Sequence, residues 1–308
     1  MSIARLRGAQ NLIVGAALFL FLAACQGPTQ ASLAVLPPDG RYAVQWRGYL
    51  GVLAGQDAYP QFAFVDVLNG GSFKDRGDPV IGHVLLLTDR GDVAAEVLAI
   101  TPRPQLGNFR LFTVQTRVDQ VELGRYTWSR IRFVDEEGIG REIAVGRWVM
   151  DVRPGAAATW REDAVALGGT NFGLIEVSLQ NTSREPYTIR GLHAELPGTT
   201  LETQMFASTP ASTEAEPSAP VDPNLALTDA VEVPPGAVAH LTFVVATGTE
   251  TNRLAWVEFQ PFIRYSAAAG DERLFSISPQ LYTAQFANDS DLRQYVLDLP
   301  ADAATGLP

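Results

Sequence analysis

Apolar and polar residues alternate with a period of two along most of this chain, and the periodicity of amphipathic helices is nearly absent. Because successive side chains of a strand point to opposite faces of a sheet, this alternation predicts strands with one buried and one solvated face. Turn-forming sequences rich in Gly, Pro, Asn and Asp separate the runs at short intervals. The chain is therefore predicted to be all-β, with short antiparallel strands. One clear run is Ile175, Glu176, Val177, Ser178, Leu179 and Gln180.

The strands fall into two groups, which predicts two antiparallel β-sandwich domains. The alternation stops where Pro154 and Gly155 interrupt it, and a chain of this length is expected to hold about two domains. We predict one sandwich over residues 40–154, a second over 155–286, and a tail at 287–308 with one short helix before a frayed end.

Residues 207–229 interrupt the second predicted sandwich. They include four prolines and six Ser or Thr residues but no basic or aromatic residue. Such a segment buries too little apolar area to offset the entropy of ordering. We predict a disordered loop there, with a partner-binding or glycosylated arm as the alternative.

The N-terminus has the layout of an export signal. Two arginines precede a 13-residue apolar run at 12–24, which is shorter than the ~20 residues of a transmembrane helix. Cys25, the single cysteine of the chain, follows this run directly. The last residues of the segment are Leu22, Ala23, Ala24 and Cys25.

These four residues resemble the lipobox of bacterial lipoprotein precursors. The resemblance implies a signal peptide over 1–24 in which Leu22, Ala23 and Ala24 are recognised by the signal peptidase. It implies a lipid on Cys25, a polar tether over 25–39, and a membrane-anchored, extracytoplasmic protein. Family members held in the inner membrane carry Asp after the cysteine; Gln26 instead favours the outer membrane of a diderm cell, and a monoderm cell would display the protein on its surface. An ordinary cleaved signal peptide and an uncleaved anchor are the alternatives.

The charge of the chain argues against nucleic acid as a partner. Without residues 1–24, 21 basic residues stand against 34 acidic ones, a formal charge of −13. Binding to phosphate backbones needs clustered Lys and Arg, whereas Lys74 is the sole lysine and the arginines are spread singly. With Cys25 carrying lipid, no disulfide is available, so stability must come from apolar burial.

The sequence contains no recognisable catalytic motif. Its three histidines, His83, His193 and His240, lie singly in predicted strands without the spacing of a metal site. No serine lies in a Gly-x-Ser-x-Gly elbow. We therefore predict no catalytic residues, no metal and no cofactor, with a triad assembled from distant positions as the alternative.

The tetrapeptide Asp-Arg-Gly-Asp occurs twice, at 75–78 and 89–92. Asp and Gly are the residues that tight turns need, so both copies are predicted to be turn or loop tips. Adhesion to receptors that recognise Arg-Gly-Asp, or a calcium site built from the four aspartates, is the alternative.

A candidate binding face lies on one predicted strand, where Tyr126, Trp128, Arg130 and Arg132 share a side if the period of two continues. Aromatic rings and guanidinium groups on one face could stack on sugars or hold an acidic partner. In the alternative, Tyr126 and Trp128 belong to the core and a bulge shifts the register before the arginines.

The second half resembles immunoglobulin-like modules of bacterial surface proteins in two short segments, 179–183 (Leu-Gln-Asn-Thr-Ser) and 233–236 (Val-Pro-Pro-Gly). Such modules present loops at the ends of their sheets, where recognition commonly occurs. The expected function is a non-enzymatic binding or scaffold module whose partner is an envelope protein or a glycan. An envelope hydrolase or carbohydrate-binding accessory protein, and a purely structural lipoprotein, are the alternatives.

Overall fold

The computed structural model describes residues 35–134, 140–155, 160–167, 174–207, 226–247, 256–267, 270–282, 286 and 288–306. Strands dominate these residues, and the predicted all-β class is confirmed. None of the helices described is long and apolar enough to cross a membrane. The helices are α1 (Phe73–Arg76), α2 (Asp289–Leu297) and a 3-10 turn at Ala301–Ala303. The strands are β1 (Gly40–Ala43), β2 (Trp46–Leu53), β3 (Gln61–Val67), β4 (His83–Thr88), β5 (Gly91–Pro102), β6 (Phe109–Arg117), β7 (Gly124–Val134), β8 (Gly140–Arg153), β9 (Trp160–Leu167), β10 (Leu174–Asn181), β11 (Tyr187–His193), β12 (Leu201–Ala207), β13 (Ala226–Leu227), β14 (Val231–Val233), β15 (Val238–Thr247), β16 (Trp256–Gln260), β17 (Phe262–Ala267), β18 (Glu272–Ser276) and β19 (Gln280–Tyr282).

The first core is built mainly by a ten-stranded sheet in the order β1-β3-β6-β5-β4-β7-β8-β2-β16-β19. Trp148 lies in this core, with the Trp128 ring stacked at 5.4 Å and the Phe62 ring at 5.5 Å between centroids. Gly48 is the register partner of Trp148, and a Cβ at this glycine would lie 1.9 Å from the indole. Any larger residue at position 48 would therefore displace the central tryptophan.

The second core lies between two antiparallel sheets, as the prediction of a second sandwich requires. One sheet has the order β13-β12-β15-β10-β9 and the other β14-β11-β17-β18. Ile175 and Phe243 contribute from the first sheet, and Ile189 and Tyr265 from the second. The apolar members of the alternating run on β10 are buried and its polar members are half-exposed, as predicted.

Strand β2 pairs in parallel with both β8 and β16, although the sequence predicted antiparallel strands. Parallel strands are usually buried on both faces, and β2 follows this rule because seven of its eight residues are buried. Trp46 and Leu50 belong to the first core, whereas Tyr49 belongs to the second. Strands β2, β8 and β16 therefore form a wall that both cores share.

The sheets do not divide at residue 154. Strands β16 and β19, which the sequence analysis placed in the second sandwich, pair in the ten-stranded sheet of the first half. Residues 37–308 accordingly form one compact unit. The period of two identifies strands but carries no information about which distant strand becomes the neighbour, which is why the sequence missed this exchange.

The C-terminal residues pack onto the first core rather than fraying. Helix α2 buries Leu292, Tyr295 and Val296, in agreement with the predicted short helix. The Tyr295 hydroxyl accepts a hydrogen bond of 3.0 Å from the backbone N–H of Gln45. Ala304 forms a bridge with Tyr42 in β1, so this end is held by backbone pairing.

Two predicted segments fall outside the described residues. The signal peptide, the lipobox and most of the tether lie within 1–34, and most of the predicted disordered loop lies within 208–225. At the edges of that loop, β12 and β13 pair through Phe206 with Leu227 and Ala207 with Ala226.

Candidate functional site

The candidate binding face on β7 is not a single face. Tyr126 and Trp128 are 7% and 4% exposed and belong to the first core, whereas Arg130 and Arg132 are 40% and 34% exposed. The register of β7 shifts against β8 between Trp128 and Arg130. Against β4, the two β7 residues Ser129 and Arg130 lie opposite the single residue Leu87, so β7 carries one extra residue there. A bulge of this kind moves all later side chains to the opposite face. The predicted face is therefore corrected to the alternative arrangement, a core segment with Tyr126 and Trp128 followed by a half-exposed basic segment with Arg130 and Arg132.

The two exposed arginines of β7 are already ion-paired. Arg130 binds Asp302 at 2.6 Å, and Arg132 binds Glu142 at 2.6 Å and Asp92 at 3.4 Å. Exposed pairs contribute at most about 1 kcal/mol each. This segment therefore offers no uncompensated charge to a ligand.

The first Asp-Arg-Gly-Asp tetrapeptide ends helix α1 and is tied to the first core. Arg76 pairs with the fully buried Asp66 at 3.1 Å and donates to the Val67 carbonyl at 2.8 Å. Gly77 ends the helix with a φ of +69°, a value that favours glycine. Because the arginine is consumed inside the fold, this copy does not present an adhesion motif.

The second tetrapeptide forms the tip of the β4–β5 hairpin, as predicted. Asp89 accepts a hydrogen bond of 2.8 Å from the Thr127 backbone N–H, which lowers the pKa of its carboxyl. Arg90 donates to the Leu123 carbonyl at 3.0 Å and lies 4.8 Å from the Tyr126 ring centre. Across the described residues, no three His, Cys, Asp or Glu side chains gather in a way that could hold a metal ion.

A buried charge cluster surrounds Asp66, the second-last residue of β3. Three guanidinium groups reach its carboxylate: Arg41 at 3.5 Å, Arg76 at 3.1 Å and Arg110 at 3.2 Å. Burial lowers the pKa of Arg41, which is 2% exposed, although Asp66 partly offsets this effect. Removing one member of such a cluster is costly, because it leaves the other buried charges without compensation.

Glu258 in β16 is another buried acid of the ten-stranded sheet. Its Oε2 accepts a hydrogen bond of 2.8 Å from the Gln61 backbone N–H. Its Oε1 has no partner among the described residues, and the side chain is fully buried. Burial raises the pKa of Glu258 to about 8, and the Gln61 bond opposes this shift only in part.

One open depression of about 370 Å³ lies along the loop at 194–201, between β11 and β12. The depression is lined by residues 194–201 and by Arg125, which forms an ion pair with Glu195 of the same lining. Behind the loop, Arg47 on β2 donates a hydrogen bond of 2.7 Å to the Thr199 hydroxyl. Loops at sheet ends commonly carry recognition, so this depression is the best candidate for a binding site in the part of the chain described.

A polar network lies next to the depression, centred on the buried Asp151 of β8. Arg153 lies 2.8 Å from Oδ1, and His193 and the Tyr49 hydroxyl lie 3.7 Å and 3.4 Å from Oδ2. Burial opposes ionisation of Asp151, but hydrogen bonds from His193 and Arg153 outweigh it and hold the pKa of Asp151 below its ordinary value. Burial and the Asp151 charge raise the pKa of Tyr49. The network is therefore ionic and internally satisfied.

One serine contacts a histidine. Ser178 Oγ lies 2.8 Å from His240 Nδ1, on neighbouring positions of β10 and β15. A hydrolytic triad also needs a group that orients the histidine and donors for the oxyanion. No orienting acid for His240 occurs among the described contacts, and the pair stands on the half-exposed face of its sheet.

Comparison with known proteins adds no functional assignment. No protein-family model matches this chain, and no curated protein matches it. The solved structures matched include DIP-gamma IG1+IG2, at 11% identity with a TM-score of 0.21 over 78% of this chain and 96% of that one. They also include the fibronectin(III)-like modules of Clostridium thermocellum CbhA, at 6% identity with a TM-score of 0.21 over 78% and 90%, and the tandem Ig repeats of Dlar, at 11% identity with a TM-score of 0.17 over 80% and 99%. TM-scores this low carry no argument, so the all-β class stands on the sheets described above.

Sequence reasoning missed the depression and its arginines because they come together only through sheet pairing. Arg47 and Arg147 are 100 residues apart in the sequence and become neighbours in the parallel β2–β8 pair. The buried acids left a readable signal, since Asp66 and Glu258 each interrupt a run of apolar and aromatic residues. An acid in such a run indicates a buried, partnered charge.

Proposed function

We propose that this protein is a lipid-anchored lipoprotein of the cell envelope that acts as a non-enzymatic binding or scaffold module. The observation that carries the proposal is the segment Leu22-Ala23-Ala24-Cys25, which places the single cysteine directly after a short apolar run. Several acyl chains on one residue give stable membrane anchoring, because each buried CH₂ contributes ~0.8 kcal/mol.

The compact unit supports a binding role through the loop at 194–201. This loop sits on the wall that both cores share, since Arg47 of β2 holds Thr199. A rigid wall fixes the loop and reduces the entropy lost on binding. In this proposal the lipid places the module at the membrane, and the loop at 194–201 faces an envelope protein or glycan.

The hydrolase alternative rests on the Ser178–His240 contact. The binding proposal is preferred because that contact lacks an orienting acid among the described residues, and the depression lies elsewhere, at 194–201. A purely structural lipoprotein would need no depression at all.

Replacing Cys25 with alanine should abolish membrane association. Wild-type protein from native cells is expected to carry the mass of a lipid on a chain that begins at Cys25 and to sediment with membranes. The Cys25→Ala chain has no thiol to acylate and should fractionate as unmodified protein. Intact mass spectrometry and membrane fractionation measure both properties.

Gln26→Asp serves as the matched control, because it leaves the acylated cysteine in place. This variant should keep the lipid mass and stay in membranes, with a shift toward the inner membrane in a diderm cell. A wild-type chain that is soluble and unmodified overturns the anchored-lipoprotein proposal.

A further inference from the structure

Two arginines stand side by side on the wall beneath the loop at 194–201. Arg47 of β2 and Arg147 of β8 are direct register partners in the parallel pair. Like charges in directly opposite positions destabilise a sheet unless something compensates them. Arg47 donates to the neutral Thr199 hydroxyl at 2.7 Å, and Arg147 makes no hydrogen bond or ion pair with any residue that the structure describes.

Both guanidinium groups reach consecutive residues of the same turn. Arg47 contacts Thr199, and Arg147 Nη1 would lie 3.1 Å from a Cβ placed on Gly198. Gly198 has a φ of +69°, so its position in the turn favours a residue without a side chain. Because Gly198 has no side chain, nothing from this residue covers the guanidinium group of Arg147. That group lies beside Thr199, whose hydroxyl accepts the hydrogen bond from Arg47.

The acidic groups nearby are committed to other partners. Glu195 pairs with Arg125, and Asp151 binds Arg153 and His193. The chain after residue 24 has a formal charge of −13. A pair of adjacent arginines without an acidic partner therefore has the opposite sign to the net charge of the protein. Among the described residues, no acidic side chain forms an ion pair with Arg47 or Arg147, so both guanidinium groups remain available to an external anion.

We propose that Arg47 and Arg147, together with the Thr199 hydroxyl, bind a phosphate group. Two guanidinium forks match the spacing of phosphate oxygens, and the hydroxyl supplies a further donor. The phosphate could belong to a small soluble phosphate compound or to a phospholipid headgroup. The inference rests on the proposed function, because it names the ligand chemistry of the loop at 194–201.

Thermal unfolding of the full chain, purified in a neutral detergent, tests this site. Potassium phosphate, compared with potassium chloride of equal ionic strength, should raise the unfolding midpoint of the wild type more than that of Arg147→Met. The general stabilisation by phosphate salts acts on both chains alike, whereas a ligand that binds the folded state stabilises the chain that has the site. Arg147→Met should weaken the apparent phosphate affinity by at least about 10-fold, the effect of losing one charge-assisted contact. Since Arg147 is exposed and makes no contact of its own among the described residues, and its loss removes the repulsion from Arg47, the midpoint in chloride should not fall.

Arg184→Met is the matched control, because Arg184 is an exposed arginine in the turn before β11, whereas the loop at 194–201 follows the other end of that strand. It should keep the full phosphate response. No phosphate-specific stabilisation of the wild type, or equal losses in Arg147→Met and Arg184→Met, overturns the site.

Two further measurements identify the source of the phosphate and distinguish a failure of the phosphate site from a failure of the lipid-anchor proposal. The Cys25→Ala chain is mixed with vesicles of phosphatidic acid or of phosphatidylcholine; binding to the first alone assigns a headgroup, and binding to neither assigns a soluble phosphate compound. A lipid-bearing wild type without a phosphate response overturns this inference and leaves the anchor in place. A phosphate response in a chain without lipid keeps the site and overturns the anchor.

Discussion

Replacing Asp66 with asparagine should lower the free energy of unfolding by about 3–5 kcal/mol, the loss expected when a buried ion pair is broken from one side. The aspartate is fully buried and is contacted by Arg41, Arg76 and Arg110. Asparagine keeps the volume but removes the negative charge, so three guanidinium groups would remain with insufficient compensation. The midpoint of thermal unfolding should fall by roughly 10 °C.

Asp78→Asn is the control for this prediction, because Asp78 contacts one of the same arginines from the surface. It lies 3.1 Å from Arg110 and is 58% exposed. Exposed pairs contribute at most about 1 kcal/mol, so this variant should unfold nearly as the wild type does. Denaturant melts of both variants measure the difference, and equal losses would show that Asp66 acts as an ordinary surface acid.

The strands were predictable from the sequence because the alternation that identifies them is a local property. The run on β10 buries Ile175, Val177 and Leu179 as its period of two requires. The bulge after Trp128 was one of two alternatives that the sequence left open, since one extra residue in β7 leaves the surrounding composition unchanged while moving Arg130 and Arg132 away from Trp128. Local patterns thus identify strands and leave the register open.

The pairing of distant strands was not predictable for a different reason. β16 lies beside β2 although about 200 residues separate them, and their contacts depend on the complete tertiary arrangement. The shared wall of β2, β8 and β16, the arginine pair above it and the partners of Asp66 all follow from such pairings. A candidate site built across strands therefore requires coordinates, whereas the N-terminal lipobox resemblance needs only consecutive residues.

The stability of the protein should fall as the pH rises from about 5 to 8, because Glu258 binds its proton more tightly in the folded chain. Burial raises the pKa of Glu258 to about 8, whereas an unfolded glutamate titrates near 4.3. Between these two values the folded state holds a proton that the unfolded state has released. The free energy of unfolding therefore decreases by up to about 1.4 kcal/mol per pH unit, or roughly 3–4 kcal/mol over this range.

Glu258→Gln isolates this contribution, because the amide stays neutral at every pH and its oxygen can still accept the Gln61 N–H. The variant should match the wild type within about 1 kcal/mol at pH 5 and exceed it by roughly 3 kcal/mol at pH 8. Glu232→Gln is the control, since Glu232 occupies the exposed middle position of β14 between two buried valines. Denaturant melts from pH 5 to 9 measure the three chains. Parallel pH profiles for Glu258→Gln and the wild type would contradict the prediction. They would mean that Glu258 is already ionised in the folded chain at pH 5, and that its carboxylate is stabilised by more than the hydrogen bond from Gln61.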